Sequence, residues 1–513
     1  MKLRSSLLLG LAAGLGAVGA AQAADLPMKA KVVEYVKVCS LYGAGFYYVP
    51  GSDTCIKLSG YMRIDLIVNS NADHTGNTGG PGGAQNRYTN GYTWRSRSDV
   101  DIDTRTATEY GVVRTFFDAT FNWTSDSYTA NGGSSIYSAI GTSPGPLNAG
   151  GGNVAYGAVG VYYAFIQFAG FTMGHAVSQF SAPWIAYPGN NFDGLVGGGG
   201  TITGVNQFTY TANLGTGLTL ALSAQDQTAY YQAGVFNMGA TTGYDPVANK
   251  PGANPFGGNN YAGTITPDFV GMFRAEQSWG MLQASVALHD NHAAYYNGLE
   301  NGGHPDDKWG WAGQLALSLK NLPTGTGDAI NVQGVYTNGA TRYNIQEMGA
   351  QAGSTAIYDG IRSVGYGMAP DTVFGAGGQQ ELVSTWGVRG AFTHNWDPYW
   401  NTSLYGAYAS ISYTEGGKDL ICNRTTGSFV RALNFMGSRC DPNYTIAQLG
   451  IVTRWTPVKN LTFSGELTYT MLDQNMSGTV DAGSAGIGKP SGVTYDLKDQ
   501  NTTTFLFRAQ REW

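Results

Sequence analysis

CIKLSGYMRIDLIV, residues 55–68, decides the fold. Ile56, Leu58, Gly60, Met62, Ile64, Leu66 and Val68 fall on one parity, whereas Lys57, Ser59, Tyr61, Arg63 and Asp65 fall on the other. A strand sends successive side chains to opposite faces, so this segment has one apolar face and one charged face, over more residues than a globular strand needs. The end of the chain repeats the device. Phe505, Phe507, Ala509 and Trp513 share one face, and Leu506, Arg508, Gln510 and Glu512 share the other. We expect these two strands to pair and close an all-β, antiparallel up-and-down barrel in an outer membrane, with the charged faces turned to a water-filled lumen.

Length and composition agree with a barrel. A soluble chain of 513 residues is expected to split into several domains, whereas a barrel grows by adding strands and need not fill its interior. Charged residues make up 12%, against roughly 25% for an average globular chain. Gly, at 75 residues, is about twice its usual share, and there are 32 Tyr. Many strands joined by polar loops, with amphipathic rings for the membrane interfaces, need this composition. The formal charge of −6 argues against a nucleic-acid partner.

Residues 1–23 read as a secretory signal peptide. Lys2 and Arg4 form the basic start, residues 7–20 the apolar core, and Ala21-Gln22-Ala23 a small-x-small cleavage site. No later stretch approaches about 20 apolar residues, so only a closed barrel can satisfy the backbone of a membrane-embedded mature chain. We expect a short periplasmic segment over 24–54, with a disulfide-held hairpin, and a transmembrane barrel with long extracellular loops over 55–513. The cysteines Cys39, Cys55, Cys422 and Cys440 fit an oxidising compartment. Three pairings are open, and local pairing, Cys39 with Cys55 and Cys422 with Cys440, is preferred because each pair sits within one segment.

Along the chain, the second strand, near 93–106, aligns Arg95, Arg97, Asp99, Asp101, Asp103 and Arg105 on one face. A dry core rejects such a row, while a wet lumen accepts it. The third strand turns Arg114, Phe116 and Asp118 inward and Phe117, Phe121 and Trp123 outward. Further strands are expected near 154–168, 170–179, 201–213, 217–226, 265–276, 279–290, 308–320, 328–338, 382–396, 400–414, 443–456, 459–472 and 501–513, about 16 in all. Short turns alternate with long loops, and an even count places both termini on the periplasmic side.

ADLP at 24–27, VKVCSLYGAGFYYVPGSDTCIKLSGYMR at 36–63, RTATEYG at 105–111, AFIQFAGFTMGHAVSQF at 164–180 and the terminal FRAQREW resemble the general porin family of alphaproteobacteria. The resemblance implies a homotrimeric, sixteen-stranded diffusion channel for small hydrophilic solutes and ions, surrounded by outer-membrane lipid. Porins fold the loop after the fifth strand into the lumen as a constriction. FSAPWIAYPGNNFDGLVGGGG, residues 180–200, is similar in position and composition, with Trp184, Tyr187 and Phe192 and a single charge, Asp193.

Arg63, Arg97, Arg105 and Arg114 are expected to line one pore wall with Asp99, Asp101 and Asp118, and Asp193 to reach the pore from the loop. The arginines either pair with the aspartates and stiffen the wall or set up a transverse field that screens solutes by polarity. Phe505, Phe507 and Trp513 form an aromatic assembly signal. No catalytic residue, metal or cofactor is expected. Gly483 to Pro490, GSAGIGKP, nearly spells a phosphate-binding loop but places Pro490 where the Mg-binding hydroxyl belongs. His175 and His289 read as ordinary barrel positions. The chain reads as a weakly cation-selective passive channel, or alternatively as a barrel-anchored adhesin or receptor acting through its loops.

Overall fold

The computed structural model describes residues 37–70, 92–124, 153–154, 157–184, 195–198, 204–226, 233–238, 243–245, 250–252, 261–297, 300–345, 356–359, 362–423, 435–481 and 493–513. Sixteen antiparallel strands form one closed sheet. They begin with β1 Cys55–Asn69, β2 Thr93–Thr108, β3 Gly111–Thr124, β4 Gly157–Phe168, β5 Phe171–Ala176 and β6 Val205–Gly215. Next come β7 Leu218–Gln225, β8 Asp268–Gln277, β9 Gly280–Asn291, β10 Lys308–Lys320 and β11 Ala329–Asn338. The last are β12 Ser384–Asn395, β13 Trp400–Ser412, β14 Tyr444–Val458, β15 Leu461–Gln474 and β16 Gln500–Glu512. Closure is antiparallel between β1 and β16, in a register that runs from Tyr61 opposite Glu512 to Asn69 opposite Thr504. Every expected strand is present, with ends displaced by a few residues.

The period-two reading of residues 55–68 holds in three dimensions. Leu58, Met62, Ile64 and Val68 are exposed on the outside, whereas Asp65 and Ile67 are buried on the inside. Leu222, Leu315 and Leu449 continue the outer apolar surface, far larger than a soluble monomer tolerates. Trp279, Trp396, Trp400 and Trp455 ring the end with the short turns, and Trp94, Trp123, Trp309 and Trp386 ring the other. Two aromatic girdles flanking an apolar band are the outer surface of a membrane barrel.

Connections alternate as the sequence suggests. The turns after β2, β4, β6, β8 and β14 span only a few residues, while those after odd-numbered strands are mostly long. The short N-terminal segment folds back at the short-turn rim: Tyr47 and Tyr48 pair with Ile56 and Cys55, and Cys39 is bonded to Cys55. Cys422 is bonded to Cys440, so both bridges are local.

The long connections form structure that periodicity did not reveal. Residues 356–359, 363–367, 436–439, 477–481 and 494–497 make a separate five-stranded sheet at the long-loop rim. Beside it lies α1 Glu415–Cys422, whose N-cap Thr414 side chain accepts from Gly417 N at 3.0 Å. Val364, Met368, Ile411, Ile421, Leu472 and Val480 belong to the largest apolar cluster of the described residues. The main hydrophobic core therefore sits in a cap over one mouth. The barrel interior is lined mostly by polar side chains, with a smaller apolar cluster where Phe180 and Tyr343 pack on Val270, Ala287, Ala312 and Val335.

Candidate functional site

Strand parity and register build the inner wall. Lys57, Arg63 and Asp65 of β1 stand opposite Asp103, Arg97 and Arg95 of β2, and Arg63 and Asp65 face Gln510 and Arg508 of β16 on the other side. On β3, Arg114 faces Arg105, Phe116 faces Asp103, and Asp118 faces Asp101. Like charges directly opposite destabilise a ladder unless something separates or neutralises them.

Here the neutralising groups are specific. Asp65 is fully buried and accepts from Arg95 Nε at 3.0 Å, Arg95 Nη2 at 2.5 Å and Arg508 Nε at 2.6 Å. Asp103 accepts from Arg105 at 2.9 Å and from Arg114 Nε at 3.1 Å. Arg63 Nε donates to Gln510 Oε1 at 2.7 Å, and Arg97 Nε donates to Asn122 Oδ1 at 2.5 Å. The guanidinium of Arg63 also lies 4.2 Å from the ring centre of Tyr61, that of Arg97 5.3 Å from Tyr162, and that of Arg114 5.0 Å from Phe116. Each aromatic face lowers the cost of holding a cation in place. The structure therefore brings Arg63, Arg97, Arg105 and Arg114 onto one wall with Asp99, Asp101 and Asp118. Carboxylate oxygens of these three aspartates lie within 4.8 Å of one another. Asp193 lies outside the described residues.

The loop after β5 crosses to the opposite wall. Gln314 Nε2 donates to Phe180 O at 2.8 Å and Gln283 Nε2 to Ser181 O at 3.1 Å. Further along, Val196 N donates to Gln448 Oε1 at 3.0 Å, and Arg389 Nη1 donates to Leu195 O at 3.1 Å. Glycine permits the approach. A Cβ on Gly197 would sit 2.5 Å from Val388 O, and one on Gly198 would strike the Gln333 side chain. The loop is thus held by glutamine amides and the Arg389 guanidinium on one side of the lumen, leaving the arginine and aspartate wall on the other. A section with the loop anchored on one side and charged groups on the other is polarised from side to side, which suits sorting of small polar solutes.

The residues expected from sequence to signal assembly lie at the seam. Phe505, Phe507 and Trp513 are exposed on the outer face, and Trp513 N donates to Gly60 O at 3.1 Å. His289, read from sequence as an ordinary wall position, is fully buried and bonded through Nδ1 to Asp268 Oδ1 at 2.9 Å, while Asp371 Oδ2 lies 3.4 Å from its Nε2. Asp371 in turn accepts from Ala233 N at 2.7 Å and Thr341 N at 2.6 Å, which ties two inward-folded connections to the barrel. Only the long-range fold brings these residues together, and no local spacing signals them. The phosphate-loop-like Gly483 to Pro490 lies outside the described residues.

Comparison with known proteins agrees with this geometry. A family model described as "Porin subfamily" matches residues 25–506. Porin Omp2b of Brucella suis is 27% identical over 361 residues, covering 70% of this chain and 80% of the relative. Porin Omp2b of Brucella abortus (strain 2308) is 27% identical over 360 residues with the same coverage. Among solved structures, the outer membrane channel DcaP of Acinetobacter baumannii superposes with a TM-score of 0.53 at 15% identity, over 91% of this chain and 99% of that one. That likeness speaks for the fold.

Proposed function

Because the chain belongs to the porin subfamily, an outer-membrane channel family without enzymatic activity, we propose that it conducts small hydrophilic solutes and ions by passive diffusion. The observation that carries this reading is the loop after β5, anchored across the lumen by Gln314, Gln283 and Arg389 and facing a charged wall. An adhesin that used its barrel only as an anchor has no need of a polarised constriction. The long-loop cap faces the cell exterior, the Cys39–Cys55 hairpin faces the periplasm, residues 1–23 are removed on export, and three copies assemble. The pore is weakly cation-selective, since the mature chain is acidic. Arg63, Arg97, Arg105, Arg114, Asp99, Asp101 and Asp118 line it. Planar-bilayer recording of the purified protein tests the reading: stepwise conductance in multiples of three is expected. A correctly folded barrel that never conducts would favour the adhesin.

A further inference from the structure

The three carboxylates of Asp99, Asp101 and Asp118 differ from the other acids of the inner wall. Asp65 and Asp103 each hold two arginines. Asp101 instead faces Asp118 directly across the ladder and accepts from Ser59 Oγ at 3.3 Å. Asp118 is only 7% exposed, and its Oδ1 has no hydrogen-bond donor. A desolvated carboxylate oxygen without a donor is costly. Three acids converging on one point compound that cost unless a proton or a cation sits among them.

We propose that Asp99, Asp101 and Asp118 bind a hard divalent cation, Ca²⁺ in preference to Mg²⁺. Carboxylate oxygens around Ca²⁺ lie at about 2.4 Å, so two ligands on opposite sides are about 4.8 Å apart, whereas Mg²⁺ at about 2.1 Å holds them within about 4.2 Å. The three carboxylates lie within 4.8 Å of one another, which admits either ion; Ca²⁺ is favoured because it accepts an irregular set of oxygen ligands, whereas Mg²⁺ demands near-ideal octahedral geometry and sheds its waters reluctantly. Asp101 is half-buried and leaves the site open to the lumen, from which water completes the coordination. Arg63 and Arg97 stand opposite each other on the adjoining strands and weaken the attraction. The affinity class is therefore that of extracellular modules, about 10⁻⁴ to 10⁻³ M. A bound ion adds two positive charges to the wall. Given the channel reading above, it moves selectivity toward anions.

Binding and permeation are measured separately. Titration of the detergent-solubilised full chain with Mn²⁺, followed by electron paramagnetic resonance, is expected to show one saturable site per chain, displaced by Ca²⁺ more readily than by Mg²⁺. Asp118→Asn and Asp101→Asn are each expected to weaken it about tenfold or more. Glu300→Gln, on an exposed connection, is expected to leave it unchanged. No saturable site in the wild type, as when a proton alone is held among the carboxylates, overturns the proposal. Equal binding in all variants also overturns it. Should Asp118→Asn fail to fold, the half-exposed Asp101→Asn carries the comparison. Intact Mn²⁺ binding in a protein that never conducts would sink the channel reading and leave the site standing.

Discussion

Arg508 Nε donates to Asp65 Oδ1 at 2.6 Å across the seam where the last strand meets the first. Arg95 approaches the other oxygen of the same carboxylate from β2. One fully buried acid thus joins three strands at the closure point. Asp65→Asn leaves two guanidiniums facing a neutral amide. Breaking a buried pair by removing one partner costs about 3 kcal/mol at the lower end of the observed range, the appropriate end beside a wet lumen. The expected outcome is a lower urea midpoint for the heat-modifiable form on SDS gels. An unchanged midpoint would show that water substitutes for the aspartate.

Gly60 and Trp513 form the second closure contact. A Cβ at Gly60 would lie 2.1 Å from Asp99 O and 2.9 Å from Trp513 Cζ2. The backbone atom cannot move without distorting β2, so Gly60→Ala is expected to reduce the assembled fraction about as much as deleting Trp513. A deletion of similar length within 125–152 is expected to have a smaller effect. Pulse-chase assembly in cells distinguishes these outcomes, and normal assembly of the Trp513 deletion would remove that residue's role as an assembly signal.

The Cys422–Cys440 bridge ties α1 to the cap strand Met436–Arg439. Closing a loop of about 15 residues contributes about 3 kcal/mol on the chain-entropy estimate. That contribution falls on the cap, because the barrel ladder does not pass through it. Cys422→Ser with Cys440→Ser is expected to speed proteolysis within 423–439 several-fold while the barrel still resists mild SDS. Peptide mapping without reduction checks the pairing itself.

At the short-turn rim, Asp328 precedes β11 and accepts from Thr324 Oγ1 at 2.6 Å, Asn395 N at 2.9 Å and His394 Nδ1 at 2.7 Å. These donors hold its carboxyl down to about 2, against an ordinary value of 3.8. A group with a depressed folded value stabilises the fold above its unfolded value and loses that contribution as pH falls through the folded one. Stability is therefore expected to fall between about pH 4 and pH 2, and Asp328→Asn is expected to flatten that part of the curve. Denaturation midpoints across this window measure it; identical slopes would remove Asp328 as the cause.

The barrel was legible because a two-residue period is a local signal. Lys57, Arg63 and Asp65 alternate with Leu58, Met62 and Ile64 whatever the rest of the chain does. Register was not legible from sequence, and with it the choice of partners: that Asp103 holds Arg105 and Arg114 while Asp65 holds Arg95 and Arg508 follows only from strand pairing. The cap was missed for a different reason. Its strands, such as Thr494–Leu497 and Ser363–Gly367, run for four or five residues and come from connections far apart in sequence. No window reading can detect a sheet whose neighbours are about 130 residues apart.

Selectivity is the remaining prediction. The proposed removal of residues 1–23 takes away Lys2 and Arg4 and leaves 27 Lys and Arg against 35 Asp and Glu, a charge of −8. An acidic protein raises the cation concentration in its vestibules. The inner wall pulls the other way. Across β1, β2, β3 and β16 it carries seven basic groups, Lys57, Arg63, Arg95, Arg97, Arg105, Arg114 and Arg508, against six acidic ones, five aspartates and Glu512 at the rim. Four of those arginines are spent on Asp65 and Asp103, so the wall's field is mostly short-ranged. Vestibule charge acts over the Debye length, which is about 30 Å at 0.01 M and about 3 Å at 1 M. The expected signature is a weak cation preference in KCl gradients at low ionic strength that shrinks toward zero as salt rises. Reversal potentials read it directly. Anion preference that persists at 0.01 M without divalent ions would mean that the arginine wall outweighs the net charge of the chain.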